Sequence, residues 1–416
     1  MSLRLNKVMG YYIPSFFYIW INGKVQDEVT SQLIPTPTLI HEYCHFLQDI
    51  TTNFGLSNII TTSTALLDCA AQAGSSNNMI RIPIDYVSSS ARQNSRIMDE
   101  LWGDTEAIDD IDVASYKRKK AGSQQISDKI EITLKNGNLI DFGVLAILES
   151  MAKSLEESLF VKPVKSPDYP YLMCKKLINL IYDKYPTSPE MVFALCDAVL
   201  MYDNPKIIIV EGLECMAKDR FVPHNMNDIY DYVWKHPSIN QSYDSYLKPF
   251  DTNLNTALSA ISSLFGSGAT LANEKEWILH RFSQASDLRK AQPKFWCEIL
   301  DVDSKQQKQT NLVNKFNNIG FPITYDYEHY MYVQDVRTED KIVNYDVFTA
   351  FYAVFEVLVY GSVQCLMLDH CKVNPDMKSI INKKCETAPW EQIQGRYLCP
   401  FAKIWHRWSL TTNIVQ

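Results

Sequence analysis

Glycine is scarce in this sequence, with 14 residues among 416. That scarcity argues against a sandwich or barrel of many tight turns and favours helices. The longest apolar stretch, Val347 to Leu368, contains Glu356 and Gln364, so we predict a buried helix there and no membrane span. Basic residues are not in surplus either: 40 Lys and Arg stand against 48 Asp and Glu, a net charge of −8. This balance argues against a nucleic-acid partner.

The cysteines also lack a familiar pattern, because none of the ten belongs to a CxxC pair. Disulfide frameworks belong to short secreted chains, so we predict free thiols and a reducing compartment, the cytoplasm. Cys371, Cys385 and Cys399 are evenly spaced near His370 and His406. That spacing fits no known zinc-ligand rule, so we predict no structural zinc site there.

Two hairpins are predicted from their turn residues. Residues 8–27 are rich in aromatic and β-branched residues and contain Asn22-Gly23, a preferred pair for a type I′ turn. Residues 130–142 carry the same signal at Asn136-Gly137. The intervening residues 104–128 are polar, with an acidic half followed by a basic half, so we predict a long solvated loop there.

Most other segments have helical periodicity. Thr38 is the predicted cap of a helix that runs to about Asn53, and a second helix follows the second hairpin from Gly143 to about Leu159. The chain is thus predicted to be α+β and predominantly helical, with small hairpins. Further helices are expected at residues 57–73, 172–184, 189–202, 205–219, 226–234, 253–265, 273–290 and 345–370.

One short motif carries chemistry: His41-Glu42-Tyr43-Cys44-His45, an HExxH pattern. On a helix this spacing puts two imidazoles one turn apart on one side, where they can share a metal ion. The intervening glutamate then projects beside that ion, where it can take a proton from water. Residues 38–47 are uncharged outside the motif, which is typical of a helix buried on its far side.

This stretch resembles the zincin superfamily of metallopeptidases. Metzincins extend the motif to HExxHxxGxxH, but Gln48 and the residues up to Thr51 supply no third histidine. The gluzincin branch instead takes its third ligand from a glutamate on a downstream helix, followed by small residues that let the two helices approach. The resemblance implies Zn²⁺ held by His41 and His45 with such a glutamate, and Glu42 as general base.

Several glutamates are candidates for the third zinc ligand. Glu149 opens an ExxA sequence on the helix that follows the second hairpin, and we favour it. Glu211 and Glu214 are alternatives on one downstream segment, unless they form internal ion pairs with Lys218. Glu356 on the long apolar helix is a further candidate.

A zincin also needs a group that stabilises the developing oxyanion. The cluster 325–330 is dense in suitable side chains, among which Tyr327, His329 and Tyr330 are candidates. Asp49 lies one turn beyond His45, where we predict a solvated position on the helix surface.

We therefore predict a zincin-like metallopeptidase domain over residues 1–220 and a mostly helical region over residues 221–416. The predicted activity is hydrolysis of a protein or peptide substrate, with narrow specificity and Zn²⁺ as cofactor. Two alternatives stay open: a catalytically inactive zincin-like interaction protein, and a zinc hydrolase of a non-peptide acyl substrate.

Overall fold

The computed structural model describes residues 9–25, 35–75, 79–85, 88–122, 127–239, 247–333, 342–395, 397–410 and 413–415. Within them the predicted α+β class, mainly helical with small sheets, is confirmed. The strands are β1 (Gly10–Ile13), β2 (Tyr18–Ile21), β3 (Ile80–Arg81), β4 (Val113–Lys119), β5 (Lys129–Leu134), β6 (Leu139–Phe142), β7 (Ile323–Tyr325), β8 (Met331–Tyr332) and β9 (Ile414–Val415). They form three sheets, with strand orders β1-β2-β7-β8, β3-β9 and β4-β5-β6.

The helices surround these sheets and supply most of the core. They are α1 (Pro37–Thr51), α2 (Asn53–Ser75), α3 (Ser89–Trp102), α4 (Val144–Leu159), α5 (Met173–Ile181), α6 (Pro189–Val199), α7 (Pro205–Asp219), α8 (Met226–Lys235), α9 (Leu247–Phe265), α10 (Ala272–Ala291), α11 (Phe295–Leu300), α12 (Lys305–Ile319), α13 (Asp346–Tyr360), α14 (Leu368–Val373), α15 (Pro375–Lys378), α16 (Lys384–Thr387) and α17 (Pro400–Arg407). Two 3₁₀ helices, Ala269–Leu271 and Pro389–Gln394, precede α10 and α17.

The first hairpin turns at a different place from the one predicted. Strand β1 pairs antiparallel with β2 through a turn at residues 14–17, and Asn22-Gly23 follows β2 instead of connecting the strands. Ser15 and Phe17 adopt positive φ angles of 67° and 60° in this turn. The Ser15 N–H donates to the Asp49 carboxylate at 2.8 Å. A bond to a distant helix thus stabilises a turn that local Asn-Gly preference did not indicate.

Strand β2 joins sequence positions that are far apart. It pairs in parallel with β7, with Tyr18 opposite Ile323 and Trp20 opposite Tyr325. Helix α2 likewise packs against α9. Buried apolar side chains from both ends of the chain belong to one hydrophobic cluster. The domain boundary near residue 220 stays a prediction. The β1-β2-β7-β8 sheet contains strands from both sides of that boundary.

The predicted loop at residues 104–128 is wrong, because it contains strand β4. Arg118 on this strand lies 2.8 Å from Asp128 and 2.6 Å from Glu211, and Lys119 lies 2.5 Å from Glu131. Opposite charges facing one another across strands favour pairing. The basic half of the segment, whose charge indicated a loop, therefore forms ion pairs on the surface of a sheet. Residues 123–126 lie outside the described residues.

The second hairpin and its helix are confirmed. Strands β5 and β6 turn at Asn136-Gly137, where Gly137 has a φ of 87°, and alternate residues of β5 are buried. Gly143 then caps α4. A Cβ atom on Gly143 would lie 2.0 Å from the Trp102 carbonyl oxygen, so only glycine fits this contact. The close approach fixes where α4 begins.

Helix α1 starts slightly earlier than predicted. Its cap is Thr36, whose hydroxyl accepts the Leu39 N–H at 3.2 Å, and Thr38 lies inside the helix. Pro37 occupies the first turn, where its missing N–H costs nothing. The helix ends at Thr51, whose carbonyl accepts the buried Arg289 side chain at 2.9 Å.

The long apolar segment 345–370 is helical only in part. Helix α13 ends at Gly361, which has a φ of 70° and caps the helix in the left-handed region. Glu356, near its end, accepts the Ser362 hydroxyl at 3.1 Å. In the described parts of the chain, no helix combines the length and apolarity needed to cross a bilayer.

Candidate metal centre

The two motif histidines lie on the face of α1 that packs against α4. The Nε2 atom of His41 is 3.0 Å from Oε2 of Glu149, and Nε2 of His45 is 3.5 Å from the same oxygen. One ligand atom from each of the three side chains lies within 4.8 Å of the other two. The structure thus brings together the three side chains that the sequence predicted as zinc ligands.

The alternative glutamates are engaged elsewhere. Glu211 pairs with Arg118, and Glu214 accepts the Tyr116 hydroxyl at 2.7 Å. Both partners lie on β4, so these acids attach α7 to the β4-β5-β6 sheet. This arrangement replaces the pairing with Lys218 that the sequence suggested. It leaves Glu149 as the predicted third ligand that faces both histidines.

The second ring nitrogen of His45 has a defined partner. Its Nδ1 lies 2.7 Å from Oε1 of Gln48. The amide nitrogen of Gln48 donates to the Leu148 carbonyl at 3.0 Å, which fixes Oε1 as the atom facing the ring. An amide oxygen only accepts, so Nδ1 carries a proton and donates it to Gln48. That contact leaves Nε2 as the ring nitrogen directed at Glu149.

His41 is oriented in a comparable way by a second carboxylate. Its Nδ1 lies 3.6 Å from Oε2 of Glu156, which is two turns beyond Glu149 on α4. The other Glu156 oxygen contacts Lys153 at 3.2 Å and accepts the Val164 backbone N–H. Metal-binding histidines usually carry such an oxygen partner on the nitrogen that does not bind the metal. Both histidines therefore point Nε2 at one shared position.

The electrostatics of the cluster favour a cation there. Burial lowers the pKa of His41, but hydrogen bonds to Glu149 and Glu156 outweigh it and raise the pKa to about 10. Burial raises the pKa of Glu149, but both histidines outweigh it and hold it well below its usual range. The surrounding carboxylates thus stabilise positive charge at this position, which imidazole protons or a bound divalent ion can carry.

No family model, curated protein or solved structure shows a significant match to this chain. The interpretation of the site therefore depends on its own donors. Two imidazole nitrogens and one carboxylate oxygen are the ligand set that zinc takes in hydrolytic centres, which keep a fourth position open. The residues present fit a zinc ion.

Tyr171 is a neighbour of the site that the sequence did not indicate. Its ring lies 5.7 Å from the His41 ring, centroid to centroid. The Glu149 carboxylate and burial together raise the pKa of its hydroxyl far above the usual range, so this group stays a hydrogen-bond donor. No spacing rule points to Tyr171, because it lies in the irregular segment before α5.

The oxyanion candidates lie on the turn between β7 and β8. The Tyr327 hydroxyl donates to Glu328 at 3.0 Å, and Tyr330 is exposed. His329 occupies the left-handed region with a φ of 63°. Tyr171 is instead the tyrosine whose ring contacts a motif histidine.

Asp49 is buried, and the predicted solvated position is wrong. Its carboxylate accepts the Tyr12 hydroxyl at 2.9 Å and the Ser15 N–H. Burial raises its pKa to about 7 despite these bonds. Asp49 therefore holds α1 against the first hairpin, which places strand β1 beside the motif.

Replacing Glu149 with Gln tests the predicted ligand set. A neutral amide oxygen is a weaker zinc ligand than a carboxylate. We expect the affinity for zinc to fall by more than the about 10- to 100-fold that loss of an orienting partner causes. Zinc content after dialysis against a graded chelator measures the effect. Glu211→Gln is the matched control and is expected to bind like wild type; equal zinc binding by both variants would exclude Glu149.

Proposed function

We propose that this protein is a zinc-dependent peptidase of gluzincin-like design, with His41, His45 and Glu149 as zinc ligands. The observation that carries the proposal is the convergence of both Nε2 atoms on the Glu149 carboxylate. The Gln48 oxygen, which accepts from His45 Nδ1, and the Glu156 carboxylate, 3.6 Å from His41 Nδ1, support it, because metal-binding histidines usually have such an oxygen beside the other ring nitrogen.

Glu42 is the proposed general base. It is buried beside both histidines, and burial raises the pKa of its carboxyl above the usual value although His41 and His45 oppose the shift. Zinc at this position would acidify water and polarise a carbonyl group. The Glu42 carboxylate would take the proton from the attacking water and return it to the leaving amine. The Tyr171 hydroxyl would donate a hydrogen bond to the developing oxyanion.

The position of β1 supports a peptide as substrate. This strand lies at the edge of its sheet, and its Tyr12 backbone N–H donates to the Glu42 carboxylate. An extended peptide can pair with an edge strand through main-chain hydrogen bonds. The strand edge and the proposed base therefore lie side by side, as cleavage of a bound peptide requires.

The burial of the site supports narrow specificity. The side chains of His41 and His45 are only 9% and 12% exposed. A folded protein surface does not enter such a site, so the substrate would be a flexible segment. The same burial favours a second candidate, a zinc-stabilised interaction protein without activity.

The ten free thiols support the proposed reducing compartment, the cytoplasm.

A peptide-library assay tests the proposal. The zinc-loaded full chain is incubated with peptides of diverse sequence, and mass spectrometry identifies new termini. We expect cleavage that a chelator abolishes and added zinc restores. Stoichiometric zinc with no cleavage of any peptide would support the inactive alternative. Hydrolysis of acyl esters alone would instead indicate a non-peptide hydrolase.

A further inference from the structure

Four cysteines that are dispersed in the sequence surround one small cavity near the end of the chain. All four are free thiols. The cavity has a volume of about 20 Å³, which is room for one water-sized occupant. We call this group the four-cysteine cluster; its members are Cys365, Cys371, Cys385 and Cys399.

The rest of the cavity wall suits a soft ion better than water. Apolar side chains such as Met377, Ile381 and Phe401 line it, and Gln392 adds one amide group. A buried water needs two to four good polar partners, which these walls lack. Thiolates are soft ligands that bind zinc strongly. We propose that the four-cysteine cluster binds a single Zn²⁺ ion as a structural site.

Hydrogen bonds to the sulfur atoms support this assignment. The Ala402 N–H donates to Sγ of Cys399 at 3.4 Å, and the amide nitrogen of Gln392 lies 2.8 Å from Sγ of Cys385. Zinc bound by four thiolates leaves a net charge of −2 on the site, and donors directed at sulfur offset that charge.

The backbone around the cavity gives a physical reason for an ion. Between α13 and α17, no described element exceeds six residues. Such short helices are not stable by themselves. The Cys365 N–H donates to the Cys385 carbonyl at 2.8 Å, which already holds two of the four cysteines together. A tetrathiolate ion would connect the loop after α13, α14, α16 and the start of α17, as structural zinc does in small domains.

His370 does not belong to this site. Its Nε2 lies 3.1 Å from the Asp346 carboxylate, and its ring packs against Tyr325. The sequence analysis considered His370 and His406 with Cys371, Cys385 and Cys399, and it did not include Cys365. The spacing follows no short zinc motif because the sulfurs come from separate places: Cys371 on α14, Cys385 on α16, and Cys365 and Cys399 in the loops before α14 and α17.

Zinc binding would draw the sulfurs inward. Among the described residues, no three of these sulfurs lie within 4.8 Å of one another. Around a tetrahedral zinc ion with bonds of about 2.3 Å, they would be about 3.8 Å apart. Rotation about the Cα–Cβ bonds moves each sulfur between staggered positions. Each thiol loses its proton on binding, so up to four protons are released.

The test uses the full chain with the first site removed. In His41→Ala/His45→Ala protein, we expect one zinc ion per chain and an X-ray absorption spectrum with a sulfur-only shell at about 2.3 Å. Cobalt substitution should give sulfur-to-cobalt charge-transfer absorption. Adding Cys371→Ser and Cys385→Ser should remove that zinc, whereas Cys215→Ser, a free cysteine on α7, should not.

The spectra keep the proposal falsifiable if the cysteine variants fail to fold. A nitrogen- or oxygen-dominated shell would overturn it, as would a zinc-free protein that is folded. Iron and inorganic sulfide in the purified protein would also overturn it, because the cysteines would then hold an iron–sulfur cluster and no single zinc ion. Two disulfides, detected as the loss of four thiols in unreduced denatured protein, would also overturn it. None of these results depends on peptidase activity, so the first site is tested separately.

Discussion

Replacing Glu42 with Gln is expected to reduce peptide cleavage by about 100- to 10,000-fold while zinc stays bound. Glutamine has the shape of glutamate, and its amide oxygen can still accept the Tyr12 N–H that Glu42 accepts. It cannot take a proton from water at neutral pH. The substitution therefore removes the proposed base and leaves the three zinc ligands in place.

Two measurements separate this role from a structural one. The zinc content of the variant is expected to equal that of wild type. Its unfolding temperature is expected to be unchanged or slightly higher, because a neutral amide is easier to bury than a carboxylate. Product formation is measured with the best peptide from the library. Glu157→Gln, on the neighbouring helix α4, serves as a control and should cleave normally. Unchanged cleavage by the Glu42 variant would contradict the peptidase proposal.

Replacing Asp197 with Ala is expected to destabilise the protein by about 3–5 kcal/mol. Asp197 and Arg289 form an ion pair whose two side chains are both fully buried. Arg289 donates to both Asp197 oxygens, at 3.0 and 2.8 Å, and Tyr230 donates to one of them. Without Asp197, the guanidinium keeps its charge in a site that water does not reach.

Urea unfolding followed by circular dichroism measures this effect. Lys290→Met is the control, because the adjacent Lys290 forms an exposed pair with Asp251 that we expect to matter by less than about 0.5 kcal/mol. Since Arg289 also holds the carbonyl of Thr51 at the end of α1, the Asp197 variant should bind zinc less tightly as well. A loss of stability similar to that of the control would refute the argument.

The three side chains of the candidate metal centre were predictable because their signals are local. The HExxH spacing defines one helix face by itself, and the hairpin before Glu149 has an explicit Asn-Gly turn. Small residues after Glu149 allow α4 to approach α1, which the sequence also shows. Gln48 lies one turn beyond His45 on the same helix, so its contact with that ring is also local. Nothing local identifies Glu156 as the neighbour of His41, because that contact needs α1 and α4 in register.

Two of the failures have a common physical cause. The turn at Ser15 and strand β4 are stabilised in part by groups distant in sequence: the Ser15 N–H donates to Asp49, and Arg118 on β4 donates to Glu211, 93 residues away. Helix α12 is polar, so its apolar stripe is too weak to detect. Patterns in a single sequence depend on residues that are close along the chain. The Ser15 turn and strand β4 also depend on contacts with residues that are far away in sequence.

The parallel pairing of β2 with β7 has a consequence for biosynthesis. The motif histidines leave the ribosome early, but the sheet beside them lacks its third strand until residue 325 has emerged. A nascent chain therefore presents its imidazoles and carboxylates long before they are enclosed. Metal acquired during translation would bind an open, exchangeable set of ligands. We expect the ion to be retained only after synthesis ends, which makes zinc loading and completion of the fold a single late event.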